Sequence, residues 1–209
     1  MLKNVTLRFY EELNDFLPTH RKKKRFLHTF IDRTSVKDLI ESFGVPHTEV
    51  DLILVNGKSV NLKYLVNDGD DIAVYLEFES FDVSNLQKLR PKPLRKPKFV
   101  LDVHLGTLAK YMRMLSFDLL YNNSYIDEEI IKISLEEKRA ILTKDREILK
   151  RSEVTRGYWI RKTKAIEQLE EVLRRFNLTN MINEFSRCLV CNSMLKIISK
   201  EKAINRLPK

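Results

Sequence analysis

The sequence predicts an α/β protein in two parts, a small mixed β-unit followed by a parallel sheet covered by helices. Three observations predict it. In the second half, short apolar runs that end in polar residues alternate with stretches of helical periodicity, the pattern of strands joined by helical crossovers. The first half sets alternating strands around one short helix. Between them, residues 81–98 hold three of the six prolines, Pro91, Pro93 and Pro97. Proline lacks a backbone donor and disfavours helix at the residue before it, so this stretch reads as an extended linker. The 209 residues suffice for two modest cores, and no apolar run approaches the ~20 residues of a membrane span.

In the first half, Val5, Leu7 and Phe9 alternate with Thr6, Arg8 and Tyr10, as in a half-buried strand. A second strand is expected over residues 25–31, after the basic run at 21–25. Ser35 is placed to cap a helix with Val36, Leu39, Ile40 and Phe43 on its apolar face and Gly44 past its end. Residues 52–55 form a third strand, Asn56-Gly57 a hairpin turn, and Asp68-Gly69-Asp70 leads into a last strand over residues 72–78. Strand, strand, helix, strand, short strand, strand is the order of a β-grasp fold. Val55-Asn56-Gly57-Lys58 and the run Asp68-Gly69-Asp70-Asp71-Ile72-Ala73-Val74-Tyr75 resemble the ubiquitin-like domains related to sulfur carriers. Those carriers work through a free C-terminal Gly-Gly. Here the unit ends Phe78-Glu79-Ser80-Phe81, so the resemblance implies a stabilising or interaction module, with a protein as its expected partner.

In the second half, Phe99, Val100 and Leu101 make a short buried strand ending at Asp102. Leu105, Leu108, Ala109, Met112 and Leu115 then recur at helical spacing. Residues 119–121 form another strand, and Asp127 precedes a helix carrying Ile130, Ile131, Ile133 and Ser134. Residues 140–142 form a strand ending in Thr143-Lys144-Asp145, and residues 157–160 a fourth. Thr163 is placed to cap a long helix through Leu169, Val172, Leu173 and Phe176. Ligands of such sheets bind beyond the carboxyl ends of the strands, where Asp102 and Asp145 lie, with Asp127 opening the helix between them. Three converging carboxylates repel one another unless a cation intervenes, and hard oxygen donors suit Mg²⁺ or Mn²⁺. Such a cation activates water and neutralises charge on a phosphodiester. Each of the three aspartates is equally suited to cap a helix, so the residues alone leave both roles open.

The run Asp102-Val103-His104-Leu105-Gly106-Thr107-Leu108-Ala109-Lys110-Tyr111-Met112-Arg113-Met114-Leu115, followed by Phe117-Asp118, resembles the signature of the Mut-seven C-terminal RNase family. Ile126-Asp127-Glu128-Glu129 and Ile141-Leu142-Thr143-Lys144-Asp145-Arg146 match its later motifs. The resemblance implies a PIN-like α/β fold behind a ubiquitin-like domain, and metal-dependent hydrolysis of RNA. It makes Asp102, Asp127 and Asp145 the candidate catalytic and metal-binding acids, with Glu129 as a further metal candidate. Asp118 follows the family's Phe-Asp pair and suits a structural role equally well. Arg113, Arg146 and, less directly, Lys110 are candidates for substrate, since guanidinium matches phosphate in a bidentate way; a salt bridge to an aspartate is the bland role for either arginine. His104, alone at a helix start, is assigned no catalytic part. Ser116 stands where the family commonly has glycine, which alters a turn rather than the chemistry. The rival function is a non-catalytic RNA-binding or protein-interaction module.

The divisions expected are 1–80 for the β-grasp domain, 81–98 for the linker, 99–184 for the RNase domain and 185–209 for the tail. Few contacts are expected to cross the linker. The formal net charge of +9 is uneven. Residues 1–80 carry 11 Lys/Arg against 13 Asp/Glu, residues 81–98 carry 6 against 1, and residues 99–209 carry 21 against 15. The positive excess therefore belongs to the linker and the second half, and RNA is the expected partner. Cys188 and Cys191 have the spacing of a metal knuckle and resemble the first half of the family's zinc ribbon. A structural zinc needs four ligands, and neither a second cysteine pair nor a histidine follows His104. The tail is therefore expected to be zinc-free and poorly ordered. Two cysteines, and an N-terminus without a signal-peptide core, lead to the expectation of a cytoplasmic protein.

Overall fold

A computed structural model describes residues 2–31, 33–76 and 97–199. In the first part, strands β1 (Leu2–Phe9) and β2 (Phe26–Ile31) precede helix α1 (Val36–Ser42), and β3 (Leu52–Val55), β4 (Lys58–Val60) and β5 (Asp71–Tyr75) follow it. They form one sheet in the order β2-β1-β5-β3-β4, with β1 and β5 parallel at its centre. This is the ubiquitin-like β-grasp expected. Val5, Leu7 and Phe9 of β1 are buried in one core with Val36, Leu39 and Ile40 of α1. Ser35 caps that helix, its hydroxyl accepting the Asp38 N–H at 3.1 Å. Asn56 and Gly57 both take positive φ, 50° and 76°, as a tight hairpin turn between right-twisted strands requires. The second strand begins one residue later than expected, at Phe26, which pairs with Leu7 of β1. The last strand ends at Tyr75; its expected continuation through residues 77 and 78 lies outside the described residues, as do residues 81–96 of the linker.

The second part is a four-stranded, all-parallel sheet of β6 (Phe99–Leu101), β7 (Leu119–Leu120), β8 (Ala140–Thr143) and β9 (Gly157–Trp159), in the order β7-β6-β8-β9. Its helices are α2 (Gly106–Met114), α3 (Asp127–Glu137), α4 (Arg146–Lys150) and α5 (Ala165–Arg175). Strand residues alternate between two cores. Phe99, Leu101 and Leu142 pack with Leu108 and Met112 of α2 and Val172 of α5. Val100 and Ile141 pack with Ile130 and Ile131 of α3 and Ile148 of α4. A parallel sheet buried on both faces needs these near-continuous apolar strands. Thr163 does not cap α5. Lys164 occupies the cap position without a side-chain bond; Gln168 Nε2 ties the helix to the preceding loop by donating to the carbonyls of Lys162 and Thr163 at 3.0 and 3.3 Å, without capping its N–H groups.

The tail departs from expectation through residue 199. Residues 187 and 194 form an antiparallel bridge, and the Cys188 N–H donates to the Ser193 carbonyl at 2.8 Å. This knuckle is fastened to the sheet domain by three polar side chains. Arg113 Nη1 donates to the carbonyls of Leu189 and Val190 at 3.0 and 2.9 Å. Arg187 donates to the Ser116 carbonyl, and Asn192 donates to Asp118 at 3.1 Å. Ser116, in the family's glycine position, takes φ 70° and accepts the Ser186 N–H at 2.9 Å. The turn survives the missing glycine and gains a hydroxyl that holds the tail.

The largest departure is the contact between the two parts. Glu49, with 0% of its surface exposed, accepts the backbone N–H of Trp159 at 2.6 Å and pairs with Arg161 at 3.3 Å. Arg161 also pairs with Asp15 at 3.1 Å, and Arg175 pairs with Asp51 at 3.1 Å. Phe16 lies against Trp159, ring centroids 5.0 Å apart. His47 bridges Glu41 and the Val154 carbonyl at 2.6 and 2.7 Å. The expectation of few crossing contacts fails because a linker's composition reports only on the linker. The acids that reach across, Asp15, Glu49 and Asp51, are scattered through one half and their arginines through the other.

Removing one member of a buried ion pair strands the other's charge. Arg161→Ala is therefore expected to destabilise the chain by about 3–5 kcal/mol. Glu49→Gln, which still accepts the Trp159 N–H, is expected to cost less. Trp159 is the sole tryptophan, so urea unfolding followed by its fluorescence reads the effect at the interface itself. Equal stability of Arg161→Ala and the parent would show that the pairing contributes nothing.

Candidate active site

Strand order reverses beside β6. The chain runs from β6 to β7 on one side, then crosses to β8 on the other. Connections leave in opposite directions at such a point, opening a crevice beyond the carboxyl ends of the two central strands. Asp102 follows β6 there and Asp145 follows β8 by two residues. Asp102 stands before a turn of 3-10 helix but makes no side-chain cap. Its Oδ2 instead accepts the Thr143 hydroxyl at 2.8 Å, and the same Thr143 oxygen accepts the Asp145 N–H at 2.8 Å. One threonine side chain therefore sets the two acidic segments against each other. Thr143 is wholly buried and was not singled out from sequence. The available signal was its place at a strand's last position, two residues before an acid, where a hydroxyl can hold the following turn.

Asp127 is the first residue of α3, and the cap is made by Glu129, which accepts the Ile126 N–H at 3.1 Å. Glu129 is thus engaged as a cap, leaving Asp127 outside that role. Partial loss of hydration, and then the charges of Asp145 and Asp102, raise the Asp127 carboxyl above its ordinary range. The three aspartates are therefore close enough to act on one another electrostatically. Among the described residues, no three Asp, Glu, His or Cys side chains are gathered tightly enough to hold a metal ion. In donor type and charge the trio fits a hard divalent cation, which would relieve the repulsion lifting Asp127. Asp145 does cap a helix: its Oδ1 accepts the Glu147 N–H at 2.8 Å at the start of α4.

The basic candidates are dispersed. Lys110 is exposed on α2. Arg113, near the end of the same helix, is buried and holds the knuckle. Arg146 makes no aspartate salt bridge among the described residues; it is exposed, with its guanidinium 5.0 Å from the Trp159 ring centroid and 5.9 Å from that of Phe16. Lys144, between Thr143 and Asp145, points its amine to the carbonyls of Arg161 and Lys162. Trp159 Nε1 donates to the Lys144 carbonyl at 3.1 Å, so the loop bearing Asp145 rests on the aromatic side chain that also meets the β-grasp part. Asp118 is structural in its contacts, pairing with Arg139 at 2.7 Å and with Arg187 at 3.5 Å. Those partners hold its carboxyl below the ordinary range despite its burial.

A cleft of about 570 Å³ lies between α2 and the knuckle, lined from His104 along α2 to Arg113 and by Leu189 and Val190. Tyr121 crosses its floor, donating to the Val103 carbonyl at 3.0 Å. A Cβ on Gly106 would lie 2.6 Å from the Tyr121 hydroxyl, so any other residue there would have to displace the end of that ring. At the knuckle, the Ser193 hydroxyl and backbone, with Cys188, lower the Cys191 thiol to about 7.

A parallel sheet with acids at its switch point, joined to a β-grasp unit, defines a two-part α/β protein. The comparisons with known families agree. The Mut7-C ubiquitin model matches residues 2–82 and the Mut7-C RNAse domain model matches residues 97–209, and the chain belongs to that family. No curated protein matches it.

Thr143→Val keeps the volume and removes both hydrogen bonds. It is expected to destabilise the chain by about 1–3 kcal/mol, since the Asp145 N–H and a buried Asp102 oxygen lose their partner. Thr143→Ser should retain most of the stability. Urea denaturation of the two variants measures the difference; equal losses would assign Thr143 a packing role only.

Proposed function

We propose that the chain is a metal-dependent ribonuclease whose acidic centre is Asp102, Asp127 and Asp145. The observation that carries this reading is the coupling of Asp102 and Asp145 through Thr143 at the sheet's switch point, with the Asp127 carboxyl raised by partial loss of hydration and then by their charges. Family membership supports RNA as the substrate. A Mg²⁺ or Mn²⁺ ion held by these three acids would supply an activated water and neutralise charge on the scissile phosphodiester. The residues of the chain have distinct parts around it. Thr143 orients one oxygen of Asp102, and the other makes no hydrogen bond among the described residues. Glu129 takes over the cap of α3, which leaves the Asp127 carboxylate available. Arg146, held over Trp159 and Phe16, presents a cation to the RNA backbone beside Asp145, and Lys110 presents another from α2. The positive excess of residues 99–209 draws a polyanion to this half.

Asp102→Asn keeps an oxygen to accept the Thr143 hydroxyl and removes the charge a hard cation requires. It is expected to lower Mn²⁺-dependent cleavage of single-stranded RNA by at least about a hundredfold while the fold persists. Folding is checked by the Trp159 emission and cleavage by gel analysis of a labelled substrate. Undiminished cleavage by the folded variant would remove Asp102 from the reaction.

A further inference from the structure

We propose that the cleft between α2 and the cysteine knuckle is a nucleotide subsite for single-stranded RNA, taking a phosphate on its basic side and a base against the knuckle. It rests on the ribonuclease reading and adds to it: the knuckle becomes a wall of the substrate site.

The first argument is charge. His104, Lys110 and Arg113 line the cleft, and among the described residues no carboxylate does. Arg113 is only 5% exposed, and Nη1 makes its only hydrogen bonds among the described residues, both to knuckle carbonyls. Its Nε is buried with no hydrogen-bond partner. No carboxylate forms an ion pair with it among the described residues; burial lowers its pKa, outweighing the Cys188 and Cys191 thiols, which favour its charge. A cation taken from water without a counter-charge is costly unless something anionic completes it. Every other guanidinium buried to this degree, those of Arg139 and Arg175, has its carboxylate. An anion entering beside Lys110 would answer the charge of Arg113.

The second argument is shape. A volume of about 570 Å³ is ample for a nucleotide. The knuckle side of the cleft presents the apolar side chains of Leu189 and Val190, the latter 84% exposed, and the Tyr121 ring also lines it. An aromatic face such as that of Tyr121 is a platform on which a base stacks independent of sequence, and the aliphatic side chains beside it bury the base further. The third argument is position. The cleft begins at His104, two residues after Asp102, and its floor is tied to Val103 by the Tyr121 hydroxyl. A strand seated here would continue toward the acids at the switch point.

The experiment uses the full chain carrying Asp102→Asn, without divalent metal, so that RNA is bound and not cut. Binding of a fluorescein-labelled single-stranded oligouridine is followed by anisotropy. Lys110→Ala removes the exposed cation and Val190→Asp places a carboxylate on the exposed wall; each is expected to weaken binding about tenfold. Lys63→Ala, at the separate cavity between the two halves, is the control and should bind as the parent does. Uridine monophosphate is expected to displace the label at about tenfold lower concentration than inorganic phosphate. Parent-like binding by both cleft variants, each shown to be folded by its Trp159 emission, overturns the subsite. Equal competition by inorganic phosphate and the mononucleotide overturns the base-binding wall. The ribonuclease reading fails separately: weakened binding in the cleft variants, together with full Mn²⁺-dependent cleavage by Asp102→Asn, would keep the subsite and reject the acidic centre.

Discussion

Glu49 belongs to the β-grasp half, yet one of its oxygens receives the Trp159 N–H and the other faces Arg161, both in the other half. With no exposed surface, it can remain charged only while that partnership holds. Much follows from it. Trp159 is fixed along its backbone by Glu49 and across its ring by Phe16. Its indole N–H then holds the Lys144 carbonyl, in the turn that presents Asp145. The geometry of the acidic loop is therefore set partly by residues about a hundred positions earlier in the chain. The ubiquitin-like unit acts here as a brace for the neighbouring sheet's edge.

Within the sheet domain, Thr143 plays the corresponding part at shorter range. Its single proton goes to Asp102 and its lone pair takes the Asp145 N–H. Two strands that are merely adjacent become two strands whose terminal acids have fixed relative positions. The carboxylates have different surroundings: Asp102 buried, Asp145 exposed and capping a short helix, Asp127 exposed at the start of another. Like charges in such an arrangement favour any process that brings a cation among them.

Much of the fold could be read from local pattern. The strand ending at Asp102, the Ser35 cap and the Asn56-Gly57 turn each depend on a few neighbouring residues, and each forms where those residues lie. Thr163 misled because the helix begins one residue later, placing Lys164, whose side chain makes no cap bond, at the cap position. At the site, the positions of Asp102, Asp127 and Asp145 follow from strand and helix ends. The division of labour between Asp127 and Glu129 does not, because it depends on which carboxylate bends back to Ile126. The docking of the two halves was hidden for a general reason. Glu49, Asp51 and Arg175 look like ordinary surface charges until folding brings them together. The knuckle was hidden similarly, since Arg113 reads as a phosphate ligand and serves also as the tether for residues 76 and 77 positions later.

The paired acids and arginines of the interface lie on one polypeptide, so their association is first order in the protein. Dilution does not reverse it, and each half meets the other at an effective concentration set by the connecting chain rather than by expression level. A free ubiquitin-like protein seeking the Trp159 edge would compete with an occupant that cannot diffuse away. The fusion thereby makes the brace stoichiometric with the nuclease-type sheet it supports, one copy for each site, without any need for regulated assembly.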